Sequence, residues 1–435
     1  MRINILLIII CLISANIFAL TLEEAIEIGL VNSPIIHSAK EALNQARYDY
    51  QQSNFELLPT ASIIGGYSMY QPDLANTASN NLAYGLQANM PLFTGGKVWQ
   101  NSRIKRNNYL VAQNEFQNQR MSLINDIENK FFNVQEAILG LQIAQSDYDN
   151  ALVYEEITDV RHAQGAISQA DYFRIKADVQ QKMVRFIINQ SSYFTALQDL
   201  RLILNISEEI EIDEIEGTSL DEAQPTNPFP MDVNELQNLV NRLVIFGIEN
   251  NLSLKNNELN LENLKKNVTT AAGNFMPSIS LSYRKEWQKY DIQDNFTDSG
   301  TISLNASIPI FPVGNNTANY LKNRASFRKA EFDQDTAENT LNLNIRTAAI
   351  SWISATQSEI SARYSLEYAE NAYQQTLERY RQGVVSSMEL LDSDIIYSNA
   401  RYQYINTQFN ILRSKANLKY LLNIEDEEEL FNFIQ

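Results

Sequence analysis

Cysteine and histidine are nearly missing from this chain of 435 residues. It has one cysteine and two histidines, His37 and His162. Zinc and iron–sulfur centres are built mainly from these side chains, so no Cys/His metal site and no cofactor is expected. A lone thiol cannot form a disulfide within the chain, and the fold must therefore be held together by packing and hydrogen bonds.

The abundant serines and acids do not form a recognisable active site either. No nucleophile elbow is present, and so few histidines do not support a histidine-centred triad. Thr94-Gly95-Gly96-Lys97 resembles the end of a phosphate-binding loop, but Pro91 stands where the first glycine of G-x-x-x-x-G-K belongs. The sequence therefore predicts a protein that is not an enzyme.

Basic residues are fewer than acidic ones, 34 against 52, which gives a formal net charge of −18. A chain this acidic offers no basic surface for phosphates, so nucleic acid is excluded as a partner. The acidity is concentrated in two segments, Ser207–Glu222 and Glu425–Glu429. Both are interpreted as solvated, one as a loop and the other as part of a tail.

Long apolar runs are confined to the start of the chain. Arg2 precedes an apolar segment over Ile3–Phe18, and a plausible cleavage site ends at Ala19, which together predict a secretory signal over residues 1–19. Cys11 follows a large isoleucine where a lipoprotein signal would carry a small residue, so lipidation is not expected. Beyond this segment no run approaches ~20 apolar residues, and no transmembrane helix is predicted.

What the chain does contain is two copies of one unit in register. The first predicted repeat covers residues 20–206 and the second 232–424, with an acidic linker over 207–231 and an acidic tail over 425–435. A repeat this long is too large for a solenoid unit, so it predicts two equivalent assemblies about a pseudo-symmetry axis. The landmarks recur 218 residues apart: Gly29, Pro59, Pro91, Gly96, Arg161, Gln164, Gly165 and Ser168 return as Gly247, Pro277, Pro309, Gly314, Arg379, Gln382, Gly383 and Ser386.

Each copy contains two segments in which strand patterns are found. Leu82–Phe93 and Thr301–Ile310 alternate between apolar and polar residues with a period of two, which is typical of a sheet with one apolar face. Ala61–Tyr70 and Ser278–Trp287 precede them as partner strands. The pattern therefore predicts one β-hairpin in each copy.

The predicted hairpins, 59–93 and 277–311, have the length of membrane-spanning strands, since ~10 to 12 residues tilted by ~45° cross a bilayer core. Their connections, 71–81 and 289–300, would be exposed at the cell surface. Four strands cannot close a barrel, and an open edge in lipid leaves backbone groups unsatisfied, so a barrel must be shared between chains. The strand count leaves dimer, trimer and tetramer open. Aromatic residues lie toward the strand ends, as a girdle facing outer-membrane lipid requires: Tyr67, Tyr70, Phe93, Trp287, Tyr290 and Phe311.

Most of the remaining chain is predicted as helix of unusual length. The first copy predicts helices over 97–164 and 168–204, and the second copy over 316–381 and 386–422. At ~1.5 Å per residue the longest would reach ~100 Å, so these helices predict a coiled-coil bundle or the wall of a tube. In the first of them, apolar residues recur every three or four positions as a predicted seam: Ile127, Phe131, Val134, Ile138, Leu141, Tyr148 and Leu152.

Several short motifs stand at fixed places along this architecture. They are Leu20-Thr21-Leu22-Glu23-Glu24-Ala25 after the signal, Met90-Pro91-Leu92-Phe93-Thr94-Gly95-Gly96 at the end of a strand, and Tyr380-Arg381-Gln382-Gly383 before Leu390-Leu391-Asp392. In this order and spacing they resemble the TolC family of outer-membrane efflux proteins. The resemblance covers essentially the whole chain beyond the signal.

The resemblance implies a trimeric outer-membrane β-barrel, with four strands from each chain, continued by a long periplasmic α-helical barrel. Such a homotrimer would be the exit duct of a tripartite efflux or type I secretion system. It would passively conduct substrates to the exterior from an inner-membrane transporter and its periplasmic adaptor protein. The protein would lie in the outer membrane of a Gram-negative-type cell, with most of the chain in the periplasm.

The resemblance also implies a periplasmic gate beside the helix-tip turns at Gly165 and Gly383. In the family a polar network and rings of acids close this end, and three copies of each acid would repel anions and concentrate cations. Val385 departs from the family pattern, which has an arginine in the closing network, and Arg174 is the candidate substitute. Matched by position from the two glycines, the gate residues are Asp171, Tyr380, Glu389 and Asp392. The resemblance implies that Tyr380 links to Asp171 and that Glu389 and Asp392 are the constricting acids.

Two alternatives stay open on the sequence alone. Ser168–Asp171 and Ser386–Glu389 both fit Ser-x-x-acid, so each acid is also a candidate capping residue at a helix start. Asp392 lies outside those positions, and Tyr380 is also explained by packing between helices. For the whole chain, the alternative is a soluble periplasmic coiled-coil scaffold or adaptor whose hairpins form a small sheet.

Overall fold

Long helices joined in pairs make up most of the described residues, which also form one four-stranded and one two-stranded sheet. The computed structural model describes residues 19–69, 80–207, 210–212, 229, 232–290, 294–310, 313–425 and 429–430. The predicted secretory signal lies outside the described residues except for Ala19. Most of the acidic linker, the tail and the first hairpin connection also lie outside them.

The helices and strands follow one another in an order that repeats. The helices are α1 (Leu22–Asn32), α2 (Pro34–Phe55), α3 (Lys97–Ala163), α4 (Gln169–Leu204), α5 (Val233–Asn250), α6 (Leu252–Ala272), α7 (Val313–Arg381) and α8 (Ser387–Leu422). The strands are β1 (Ala19–Leu20), β2 (Thr60–Met69), β3 (Asn80–Thr94), β4 (Glu211–Ile212), β5 (Ser278–Tyr290) and β6 (Thr297–Ser307). Two helices, a hairpin and two long helices therefore occur once in each copy.

The ends of the long helices follow from local chemistry. Helices α4 and α8 start after serine N-caps, Ser168 and Ser386, whose hydroxyls accept backbone hydrogen bonds. Both helices end at an asparagine in the left-handed conformation, Asn205 at φ 53° and Asn423 at φ 58°. Asparagine tolerates this conformation better than most residues, so the sequence itself specifies where these helices stop.

Two compact units share the chain. The first contains Met1–Pro34, Arg120–Ile245 and Asn344–Gln435, and the second contains Ile35–Gln119 and Phe246–Leu343. Each unit draws segments from both sequence copies. The two repeats are therefore interleaved rather than folded as separate domains.

The second unit contains an antiparallel sheet with the strand order β2-β3-β5-β6. The hairpins of the two copies meet between β3 and β5, where Tyr84 pairs with Trp287. The strand pairing places one set of apolar side chains on a single face of the sheet: Ile63, Leu86, Met90, Leu281, Tyr283, Ile302 and Leu304. The opposite face is polar, and there Arg284 donates a hydrogen bond of 3.2 Å to the side chain of Gln87.

The core of the first unit differs in part from the predicted seam. Ile127, Phe131 and Val134 of α3 are fully buried, as the predicted seam requires. Further along, Ile138, Leu141 and Tyr148 are only partly buried and Leu152 is exposed. The buried positions there are Leu139, Ile143, Ala144, Asp147, Ala151 and Tyr154. The seam moves because this part of α3 packs against α4, α7 and α8 together, whereas a single apolar stripe describes packing against one partner.

Parts of the segments predicted as acidic connections are structured. Strand β4, within the predicted linker, pairs in parallel with β1. Phe229 is buried and packs edge-to-face on Trp352, with ring centroids 4.8 Å apart. Leu430, in the predicted tail, is also buried. Within the described ranges, no helix is both long and apolar enough to cross a membrane.

Candidate functional site at the helix tips

Glycines make both turns between the paired long helices. Gly165 has φ 71° and Gly383 has φ 79°, in the left-handed region that other residues enter at a cost. The turns close through matching backbone bonds, since Ala166 N–H donates to Arg161 and Val384 N–H donates to Arg379, both at 2.9 Å. The two copies thus use the same Schellman-type helix end.

Asp171 is held by two serine hydroxyls. Ser168 donates to Asp171 Oδ2 at 2.7 Å and accepts from the Asp171 backbone N–H at 3.1 Å. Ser387, at the start of α8, donates to Asp171 Oδ1 at 2.8 Å. The bonds from Ser168 and Ser387, with a smaller effect of Arg174, hold the pKa of Asp171 below its ordinary value of 3.8. Asp171 therefore takes part in a helix cap and also joins the two helix pairs at their tips.

Glu389 and Asp392 are far less constrained. The Glu389 backbone N–H donates to Ser386 Oγ at 3.3 Å, so this residue occupies the capping position. Its carboxylate lies 3.7 Å from the Arg379 guanidinium, and both side chains are about half exposed, at 51% and 56%. Asp392 is exposed and forms no hydrogen bond or ion pair with the residues that the structure describes. Both carboxylates are therefore available to face solvent or a pore.

Tyr380 is buried rather than paired with the first-copy acid. Its side chain is 1% exposed, and its hydroxyl lies 2.9 Å from Thr158 Oγ1. The Arg161 guanidinium lies over the Tyr380 ring, 4.7 Å from its centroid. Arg161 also donates to the backbone carbonyls of Tyr380 and, at 3.1 Å, of Arg381. Within one chain the link between Tyr380 and Asp171 that the resemblance implies is not formed.

The position of Val385 has an apolar role in this chain. Val385 packs against a cluster that includes Tyr154, Ile175, Tyr380 and Leu390. Sequence reasoning named Arg174 as the substitute for the missing arginine. Arg174 is exposed and only assists in lowering the pKa of Asp171, whereas Arg161 makes the hydrogen bonds across the tips. The sequence contains a signal for this role, because Arg161 recurs as Arg379 in the second copy, but the recurrence alone indicates a turn landmark and no contact across the tips.

Sequence reasoning also missed a group of buried charges, which we call the four-charge cluster: Asp147 on α3, Lys182 on α4, and Asp394 and Arg401 on α8. Lys182 Nζ donates to Asp394 and lies 3.7 Å from Asp147 Oδ2. Arg401 donates to Asp147, and so does Ser398. On helices this polar, charged positions resemble a solvated face, so nothing in the sequence distinguishes these four residues.

In the described part of the chain, no group of three or more His, Cys, Asp or Glu side chains is arranged to hold a metal ion. What the tips offer is a set of hydrogen bonds between two helix pairs, beside carboxylates that remain exposed. Such an arrangement can hold a passage closed and bias the ions that enter it.

The described residues thus combine a four-stranded sheet that has one apolar face with two helices of 67 and 69 residues. A model of the family described as "Outer membrane efflux protein" matches residues 25–205 and 247–423, and the chain belongs to this family. The two matched segments fall in the two sequence copies.

Individual proteins are similar at low identity over most of their length. The outer membrane protein TolC of Salmonella enteritidis is 22% identical over 415 residues, which cover 90% of this chain and 78% of TolC. The cation efflux system protein CusC of Escherichia coli K12 is 24% identical, with 84% of this chain and 78% of CusC covered. The solved Campylobacter jejuni CmeC outer membrane channel has a TM-score of 0.79 and 16% identity, with 95% of this chain and 89% of CmeC covered.

The predicted family, fold class and location are thereby confirmed. The chain is an outer-membrane efflux channel protein with a large periplasmic part, and its family consists of channel proteins rather than enzymes. One chain contributes the four-stranded sheet and the paired long helices.

Proposed function

We propose that this protein is the outer-membrane exit duct of a tripartite efflux or type I secretion system. It works as a homotrimer and conducts substrates passively to the exterior. An inner-membrane transporter supplies the energy, and a periplasmic adaptor protein joins that transporter to the duct. The observation that carries this proposal is the four-stranded sheet with an apolar face and two edges.

The edges of the sheet support a shared barrel. Strand β2 pairs only with β3, and β6 pairs only with β5, among the described residues. In lipid the unpaired N–H and C=O groups of such edges would cost ~2–7 kcal/mol each by transfer measurements. Pairing β6 of one chain with β2 of the next removes both edges. Three chains then supply a closed barrel of about twelve strands, a number in the range of bacterial outer-membrane barrels.

An uncovered apolar stripe on α4 supports the same conclusion. Val184, Ile187, Ile188 and Phe194 are each more than half exposed, at 51% to 58%. Their spacing places them on one side of the helix, since residues three, four and seven apart share a face. A second copy of the chain is the occupant that we infer for this stripe, because a shared barrel already places the copies side by side.

The helix tips would then form the periplasmic gate. Three copies each of Glu389 and Asp392 would line a narrow negative ring, since these carboxylates are exposed and weakly paired. Asp171 would hold the tips together through its bond from Ser387. Tyr380 would support the closed end from the core. The acid ring would repel anions and concentrate cations at the entrance.

Fractionation and conductance together test this proposal. The full-length protein should be recovered with outer membranes and require detergent for extraction. Native mass measurement in mild detergent should give a trimer, and the trimer should form cation-selective channels in planar bilayers. Release with the soluble periplasmic contents as a monomer would contradict the proposal and would favour a soluble scaffold.

A further inference from the structure

The four-charge cluster is an unusual feature of a helical core. Each of its four residues is between 1% and 6% exposed. Charged residues are rarely buried to this extent unless they are paired, because removing an ion from water is costly. Three helices, α3, α4 and α8, each contribute at least one member, so the cluster joins both helix pairs of the chain.

Stability alone does not explain the cluster. Within the described part of the chain, Asp394 Oδ1 and Arg401 Nε are buried without a hydrogen-bond partner. Burial also raises the pKa of Asp394, although Lys182 opposes this effect. Buried ion pairs are often no more stabilising than apolar residues of the same volume, and an incompletely bonded network is less so. A different property must account for four charges at this place.

The residues on either side of the charges indicate that this property is the axial register of α8, meaning its position along its axis relative to α3 and α4. On α8 the charges lie between Leu390 and Tyr404, both fully buried. On α3, Asp147 lies between the buried Ile143 and Ala151. If α8 slid by one turn, about 5.4 Å, an apolar residue would stand opposite Lys182 or Asp147. An unpaired charge would then be buried, whereas the observed register places each of the four charges beside an opposite charge.

This register also determines whether the tip contacts form. Ser387 and Asp394 are two turns apart on α8, and both bond to α4, at Asp171 and Lys182. Residues seven apart lie on one face of a rigid helix. The position of Asp394 against Lys182 therefore sets the position of Ser387 against Asp171.

We propose that the four-charge cluster fixes the axial register of α8 against α3 and α4, and that Lys182, Asp394, Asp147 and Arg401 are thereby positioning residues of the closed helix tips. This inference rests on the proposed function as a gated duct. The contacts that mainly hold the closed end in position are then in the buried core and not at the exposed tip. The four-charge cluster then compensates for the absence of an arginine at Val385, although it lies away from that position.

Two substitutions separate register from stability. Lys182→Met leaves Asp394 without the cation that it pairs with, whereas Lys182→Met with Asp394→Leu replaces that ion pair by two apolar side chains. The matched control is Lys130→Met, which breaks an exposed pair between α3 and α4, Lys130 with Asp199 at 2.6 Å. The full-length trimer of each variant is compared in planar bilayers, and its assembly is measured by native mass.

We expect both Lys182 variants to spend on the order of 10-fold more time in a high-conductance state, a typical size for coupling between distant sites. The double variant should remain a trimer, and Lys130→Met should behave as wild type. Wild-type gating in the assembled double variant would overturn the inference, as would failure of both Lys182 variants to assemble, which would indicate a folding role. A wild-type protein that forms no channel would instead contradict the proposed function.

Discussion

The helix tips of the two copies share the same residues at the same spacing and use them differently. In both, an arginine lies four positions before the turn glycine, and a serine cap lies three positions after it. Arg161 of the first copy reaches across to the end of α7 and donates to its carbonyls. Arg379 of the second copy is half exposed and lies 3.7 Å from Glu389.

The acids that follow the two caps show the same difference, because the acid of the first copy makes more bonds than the acid of the second. Asp171 accepts bonds from two serine hydroxyls, one of them on the other helix pair. Glu389 has only its backbone cap and the loose pair with Arg379. After duplication, both copies retained the turn and the cap that the fold needs. The first copy then uses its side chains to join the tips, while the second leaves its carboxylates free for the passage that we propose.

The largest expected difference between the tips is in their arginines. Arg161→Ala removes bonds to two helix-end carbonyls and the contact over the Tyr380 ring. We expect hydrogen-exchange protection of the tip amides to fall by about 2 to 3 kcal/mol, since hydrogen bonds from charged groups contribute about 1.5 to 3. Arg379→Ala should change protection by less than about 0.5 kcal/mol, because its pair is exposed. Equal effects of the two substitutions would contradict the comparison.

The turn glycines should show no difference between copies. No heavy atom lies within 4 Å of a Cβ built at Gly165, so Gly165→Ala tests the backbone alone. The left-handed conformation should cost about 1 to 2 kcal/mol in local stability at either turn, measured by hydrogen exchange of the turn amides. Gly314→Ala is the control, because its site is equally open and has no positive φ. A neutral effect at both turns would show that the glycines are not needed for the turns.

Acidification should weaken the first tip when the Asp171 carboxylate becomes protonated. The pKa of Asp171 lies below 3.8 because two hydroxyls stabilise its charged form. A lowered pKa means that the contribution to tip stability is fully present above that ordinary value and is lost as the pH falls through the lowered pKa. The loss should be about 1 kcal/mol, followed by hydrogen exchange at the amides around Ser387. Asp171→Asn should remove this pH dependence, and its persistence in that variant would assign it to another group.

The parts of the fold that local chemistry determines could be predicted from the sequence. Serine caps, turn glycines and the absence of proline placed the long helices, although α7 begins at Val313 rather than at Asn316. Alternation placed the strands and the apolar face of the sheet, although β6 covers Thr297–Ser307 rather than Thr301–Ile310. The seam along α3 failed beyond Val134, because burial there depends on three neighbouring helices.

The site was less predictable for the same reason. Asp171 and Glu389 were recognised as capping candidates, and the structure shows both at helix starts. The partners of Tyr380 and the burial of Asp147 and Lys182 depend on which helices meet in three dimensions. No local pattern carries that information, since a buried charge and a solvated charge look alike on a polar helix.

Single-channel recording of the trimer is the most direct test that the second copy supplies the acidic constriction. Glu389→Ala with Asp392→Ala removes charge and bulk from the proposed ring, whereas Asp171→Asn removes a charge that is already bound by serines. The first variant should raise conductance, weaken cation selectivity and reduce block by multivalent cations. Asp171→Asn should leave ion selectivity unchanged. Unchanged conductance and selectivity in the double variant, with the trimer intact, would contradict this assignment of the gate.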